Sequence, residues 1–489
     1  MPNILELSGD RVANRYLHDS GGAGFAGFVT LLIRTHLAAH GVPDSAIHTD
    51  CRTQTPDGGA DAQVDLGVAD EPTGWLRSPT IWQFKARNAA TALQPKTLEG
   101  EVSKPYAMQC IAEGMAYRYC IAGTVTPERR AKANSTLEDA VKRINPDVPP
   151  PLILSADDLA AWASRYPAFV MRHFLSEVCS VAQTLADWRP MGNTSVYVPG
   201  PQWDTVFDAI RRHCDFAVRA TDAVLPITGQ AGSGKTRLVY EALRRISGAE
   251  GLVLYTCGND VGRVLNLLCS QADACAILVA DEVDLGGFSQ LREKLAPIRD
   301  RVRAIVIMNT FLSDDSTAVY EVSRPNEMLE TILEANYPHV PWDRRRAYAG
   351  LAEGHVRFAA DLCAHDSEIQ SGIAVSEAAT QIGLDVEGYV CARLSEKWKS
   401  VAALSLVSRL GCLGEPSQEC EDLCAWLTLD HVEVEHDLRH ASNEVGFVER
   451  TGRYYSVVPE LVARCLFAKA WHEWLEPDPR AILRNLPPS

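Results

Sequence analysis

The chain has 489 residues, of which 46% are hydrophobic and 22% charged, and it carries a net charge of −16. That length exceeds what one hydrophobic core accommodates, so two to four domains are expected, and the composition leaves no room for long disorder. The acidic balance excludes a surface that coats nucleic acid indiscriminately; any nucleic-acid site has to be a local basic cleft. Fourteen cysteines, scattered singly, suit a reducing cytoplasm rather than a disulfide scaffold. The tightest group, Cys412, Cys420 and Cys424 with His431 and His436 nearby, lacks the paired C-x-x-C arms of a zinc site. The start, Met-Pro-Asn-Ile-Leu-Glu, lacks the basic and apolar regions of a signal peptide, and no apolar run reaches membrane-spanning length, so a cytoplasmic protein with no membrane partner is expected.

In chain order, residues 24–40 read as an apolar helix, followed by a Gly- and Asp-rich turn region and strand-like runs at 63–68, 79–86 and 117–124. The Pro149-Pro150-Pro151 turn, a strand at 152–154 and helical segments close an α/β domain over residues 1–187. Residues 188–202, rich in proline and glycine and without periodicity, read as a linker. From 203 to 324, continuous apolar strands at 224–228, 252–257, 276–280 and 304–308 alternate with amphipathic helices, which predicts a parallel sheet buried on both faces. A helical lid subdomain is expected over 325–395. Over 396–489, helices at 399–411, 418–427 and 431–442 precede a hairpin from 446–450 to 454–458, the pattern of a winged helix. The last helix runs into Leu486-Pro487-Pro488-Ser489 without a capping element, which suggests the front part of something longer, truncated before a C-terminal sensor.

The run Gly229-Gln230-Ala231-Gly232-Ser233-Gly234-Lys235-Thr236 matches G-x-x-x-x-G-K-[ST] between a strand and a helix. Backbone N–H groups there would wrap the phosphates of ATP. Lys235 would meet the β- and γ-phosphates and Thr236 would bind Mg²⁺, with Arg237 opening the same helix. The strand 276–280 ends in Asp281-Glu282, which resembles a Walker B motif: Asp281 would hold the magnesium through its water shell and Glu282 would polarise an attacking water. The next strand ends near Asn309, where AAA-like and STAND ATPases place a residue that senses the γ-phosphate. His355 and Arg357 lie where such ATPases reach back from the helical subdomain.

In the first domain, the run from Pro56 to Asp65 leads into one strand and Gln83 and Lys85 lie two apart on the next, so that the carboxylate of Asp65, an amide oxygen and an ammonium converge. Such a set can hold a hard cation and orient a water for attack on a phosphodiester, with Asp61 as the alternative to Asp65. Over roughly residues 10–130 the sequence resembles the PD-(D/E)xK nuclease superfamily, in particular Mrr-type restriction endonucleases. The resemblance implies Mg²⁺-dependent cleavage of double-stranded DNA, with Asp65 and Gln83 as metal ligands and Lys85 as the catalytic lysine. The first helix of this family often supplies a glutamate, and Gly24–Leu37 contains none.

Nuclease-like domain, P-loop ATPase, helical lid and winged helix in this order resemble the STAND proteins of bacterial anti-phage defence. That implies a switch in which ATP and a viral protein trigger convert an inactive monomer to a homo-oligomer that brings nuclease domains together on DNA. The alternative is an ATP-dependent transcription regulator that uses the winged helix without nuclease activity. The acidic stretch 414–437 favours internal packing over DNA binding for that unit.

Overall fold

Pairing of the short strands in the N-terminal third builds a five-stranded mixed sheet, seen in a computed structural model that describes residues 7–17, 22–49, 60–68, 74–175, 181–190, 196–229, 233–309, 320–322, 326–364, 366, 388, 390–414, 416–451 and 453–476. Its strands are β1 (Ile47–Thr49), β2 (Ala62–Val64), β3 (Thr80–Lys85), β4 (Ala116–Ile121) and β5 (Leu152–Leu154), hydrogen-bonded in that order. The first three run antiparallel and the last three parallel. The period of two sorts β3 between two cores. Trp82 and Phe84 pack with Phe28 and Leu32 of the helix Ala23–Ala39. On the other face Ile81, Tyr117 and Tyr119 pack with Leu98 of the helix Pro95–Val102 and Leu137 of the helix Pro127–Lys142.

The second sheet comprises β6 (Gln183–Thr184), β7 (Val224–Thr228), β8 (Val253–Cys257), β9 (Ala276–Asp281), β10 (Val302–Ile307) and β11 (Tyr320–Glu321). Its order is β11-β7-β10-β9-β8-β6, parallel except for β6 at the edge. β7, β9 and β10 are buried along their whole length, as both-face coverage requires of a parallel sheet. This is the α/β architecture expected of a P-loop domain: β10 lies between β7, which leads into the Gly-rich loop, and β9, which ends in the acidic pair.

The expected linker is not free-standing at its start. β6 pairs with β8 before residue 188, and Trp188, 2% exposed, stacks on Tyr255 with ring centroids 4.2 Å apart. A strand of two residues leaves no periodic signal in the sequence, and β6 attaches the segment before residue 188 to the edge of the P-loop sheet.

The first two units share one continuous core. The helix Ala23–Ala39 has the sheet on one side and the turn Ala249–Gly251 of the P-loop domain on the other, which is why it is apolar almost all round. Gly248, at φ 78°, lies so close to the Arg34 carbonyl that a Cβ would press into it. Across the same join Cys275 N–H donates to Arg165 O at 2.7 Å, and Arg172 pairs with Glu250.

Beyond β11 come the helices Asn326–Asn336, Trp342–Ala352 and Val356–Ala364. The helices Trp398–Leu404, Ser417–Leu427 and His431–His440 then precede a small antiparallel sheet of β12 (Leu410–Gly411), β13 (Val448–Thr451) and β14 (Tyr454–Val457). The hairpin expected from the alternating run lies at β13–β14. Residues expected in separate lid and winged-helix domains contribute to a single core, in which Leu329, Tyr348 and Phe358 join Val401, Leu423, Leu438 and Tyr455. Among the described residues no helix is long and apolar enough to cross a membrane.

Candidate functional site

The nucleotide site forms where β7 meets the helix Lys235–Arg244. Gly229 (φ 144°) and Gly234 (φ 92°) bracket the loop in conformations that side chains rarely adopt, and a Cβ on Gly229 would press into the carbonyl of Val322. Gln230, Ala231 and Gly232 lie outside the described residues. Lys235 is 5% exposed and donates from Nζ to the Gly229 carbonyl at 2.9 Å, folding its ammonium back over the loop. Burial pushes its pKa down to about 8, opposed by the carboxylates of Asp281 and Glu449.

Thr236 Oγ1 donates to Asp281 Oδ2 at 2.8 Å, and Tyr255 OH donates to the same oxygen at 3.2 Å. Burial raises the Asp281 pKa, while the Thr236 hydroxyl, the Glu282 N–H, Lys235 and Tyr255 hold it down. A threonine hydroxyl touching a buried carboxylate beside a lysine fits a Mg²⁺–phosphate group, because both oxygens can turn from each other to the ion and its waters. Glu282 follows with φ 57°, a strained conformation for a side-chain-bearing residue that turns the chain sharply at the sheet edge.

Of the other residues expected at the nucleotide, Asn309 and Arg237 have protein partners. Asn309 Nδ2 donates to the carbonyl of Ser442 at 3.4 Å, so the end of β10 meets the C-terminal unit. Arg237 pairs with Glu241 one turn along its own helix at 2.7 Å. His355 is buried just ahead of the helix Val356–Ala364, and the side chain of Arg357 lies outside the described residues. Ser233 is 2% exposed within the loop.

The second constellation sits on the odd-numbered face of β3. The pairing Ala62↔Trp82 places Asp61 opposite Gln83 and carries Asp65 past Thr80, about 13 Å along the strand from Gln83. The expected convergence of Asp65 with Gln83 and Lys85 is therefore corrected by the register: the carboxylate that meets Gln83 belongs to Asp61. Gln83 Nε2 donates to Asp61 Oδ2, and Phe84 N–H donates to the same oxygen at 2.6 Å. Asp65 instead accepts from Gln63 Nε2 at 2.6 Å and faces His48 Nε2 at 2.9 Å.

Gln83 is 1% exposed, and its buried Oε1 has no hydrogen-bond partner among the described residues. Reversing the amide would press that oxygen against the Asp61 carboxylate, so the orphaned acceptor is held in place by the contact on its other side. A buried carbonyl oxygen beside a carboxylate suits a hard cation, which would satisfy both. Lys85, two residues along the same face, pairs with Glu101 of the helix Pro95–Val102 at 2.8 Å, and Lys104 holds the other Glu101 oxygen at 2.7 Å. Burial raises the pKa of Tyr119, the cross-strand neighbour of Gln83; the charges of Glu101 and Asp61 add to that rise and Arg87 opposes it.

Sequence reasoning did not find Glu101, Tyr255 or Glu449. Each reaches its site by tertiary packing from another element, and no local spacing connects Glu101 with Lys85 or Glu449 with Lys235.

No family model and no curated protein matches the chain. Among solved structures it is similar to Cdc6p from Pyrobaculum aerophilum at 16% identity, over 60% of this chain and 100% of that one, with a TM-score of 0.30. The Aeropyrum pernix Orc1 protein, solved in complex with DNA, matches at 14% identity over 63% of this chain and 99% of its own, with a TM-score of 0.34. AMPPCP-bound DnaA from Aquifex aeolicus matches at 14% identity over 54% of this chain and 92% of its own, with a TM-score of 0.29. The chain's own loop and strand order define its P-loop site.

Proposed function

We propose that the protein is an ATP-regulated, Mg²⁺-dependent DNA endonuclease of the STAND type, in which the P-loop domain binds and hydrolyses ATP and the N-terminal domain cuts double-stranded DNA. The observation that carries the nuclease reading is the Asp61–Gln83 pair with its orphaned, buried amide oxygen, beside Lys85 on the same strand face. Asp61 and Gln83 Oε1 would hold the divalent ion, and Lys85 would orient the attacking water or steady charge on the scissile phosphate. At the other site Lys235 would meet the phosphates, Thr236 and Asp281 would hold Mg²⁺, and Glu282 would polarise water.

The shared core through the helix Ala23–Ala39 and the turn Ala249–Gly251 would couple nucleotide occupancy to the nuclease domain. On this reading a viral protein trigger and ATP release the Asn309–Ser442 contact, and the opened chains assemble as a homo-oligomer on DNA. The test is cleavage of supercoiled plasmid with Mg²⁺ and ATP by the wild type and by Lys85→Ala. Nicking or linearisation by the wild type alone supports the proposal; cleavage that survives the substitution refutes it. A sequence-specific footprint without strand scission selects the transcription-regulator alternative.

A further inference from the structure

Among the described residues the two neighbouring strands deliver one carboxylate to the cation site. Asp61 supplies a single negative charge and Gln83 a neutral oxygen, whereas a divalent ion at a phosphodiester also attracts the anionic substrate and is held better by a second acidic ligand. Among the described residues no three acidic, histidine or cysteine side chains cluster as a ready metal site, so a cation here depends on mixed donors.

Glu101 lies where the missing charge is needed. Its helix, Pro95–Val102, starts with proline at its first position and packs through Leu98 and Val102 on the odd face of β3 and β4. The Glu101 side chain is only 14% exposed and is bracketed by two ammonium groups, Lys85 on Oε1 and Lys104 on Oε2. One partly buried carboxylate thus receives two positive charges, the charge a divalent ion would bring. Lys85, which meets Glu101 Oε1 at 2.8 Å, lies two residues from Gln83 on the same face of β3, so Glu101 and the Asp61–Gln83 pair border one strand face.

We propose that Glu101 is the second carboxylate of the divalent-cation site, reaching over from its helix to complete the set begun by Asp61 and Gln83 Oε1, its charge balanced by Lys85 and Lys104. With Glu101 held to a divalent ion, the Lys85 ammonium would be released to face the substrate phosphate. This assignment rests on the nuclease reading of the Asp61–Gln83 pair.

The experiment is a Mn²⁺ titration of the nucleotide-free full chain, followed by loss of the free-ion paramagnetic resonance signal. A Thr236→Ala background removes the P-loop's contribution. Even partners that only orient metal ligands cost 10- to 100-fold in affinity when lost, so Asp61→Asn and Glu101→Gln are each expected to weaken Mn²⁺ binding by at least about tenfold. Lys104→Met, which removes a competing cation, is expected to tighten it severalfold. Weakening by Asp61→Asn with none by Glu101→Gln overturns the assignment of Glu101 and leaves the Asp61 site standing. An unchanged titration in Asp61→Asn sinks the metal reading and this inference together. If Glu101→Gln does not fold, Lys104→Met decides: tighter binding supports the role of Glu101, and unaltered binding overturns it.

Discussion

Gln83 donates its side-chain amide to the carboxylate of Asp61, and that contact distinguishes Asp61 from the other acidic residue of the Asp61–Asp65 segment. Asp65, four residues on, turns to His48 and Gln63 at the far end of the strand. The same segment therefore holds one carboxylate engaged by Gln83 and Phe84 N–H and one in an exposed polar cluster.

The buried Lys235 ammonium makes nucleotide affinity sensitive to alkaline pH. Its pKa, lowered by burial to about 8, means that the free protein loses the charge as pH rises through that value, while bound phosphates would keep it protonated. ATP affinity is expected to be flat below pH 8 and then to weaken by up to about tenfold per pH unit. Calorimetric or fluorescence titration at pH 7, 8 and 9 reads this directly. Lys235→Ala should bind far more weakly at every pH, without the slope.

The join between the first two domains should be sensitive to a single methyl group at Gly248. Its φ of 78° and the Arg34 carbonyl against it leave Gly248→Ala strained in both backbone and contact. A loss of about 2 kcal/mol is expected, visible as a lower melting temperature. If the shared core carries the signal, cleavage by this variant should also lose its dependence on ATP. Unaltered melting and ATP response would mean the join tolerates displacement.

Stability should fall on mild acidification because His213 is buried as a neutral imidazole against the carbonyl of Ala304. Burial, reinforced by Arg303, lowers its pKa to about 4, below the unfolded value of 6.5. The unfolded chain therefore binds the proton more readily, and stability present above pH 6.5 is lost progressively as pH falls towards 4. His213 alone contributes a loss of about 2 kcal/mol at pH 5. Melting curves at pH 7 and pH 5 for the wild type and His213→Gln test this; the variant should show the smaller difference.

The P-loop was readable in the sequence because its chemistry is local: the spacing from Gly229 to Thr236 is itself the loop, and the strand before it is a continuous apolar run. Asp281 was readable for the same reason, at the end of a strand buried along its whole length. Asp61 and Asp65 were not separable in that way. Both are odd-numbered on one strand face, so alternation treats them alike, and only the pairing Ala62↔Trp82 distinguishes them. The β6 edge, the Glu101 bridge and the Asn309–Ser442 contact join residues remote in sequence, and no local pattern encodes such docking.

The most direct measurement is Mg²⁺-dependent plasmid cleavage by Asp61→Asn and Asp65→Asn side by side, with folding checked by melting. An Asp61–Gln83–Lys85 centre predicts that Asp61→Asn loses at least about 100-fold in rate while Asp65→Asn stays within a fewfold of the wild type. Cleavage that persists in Asp61→Asn, or that disappears only in Asp65→Asn, would contradict it.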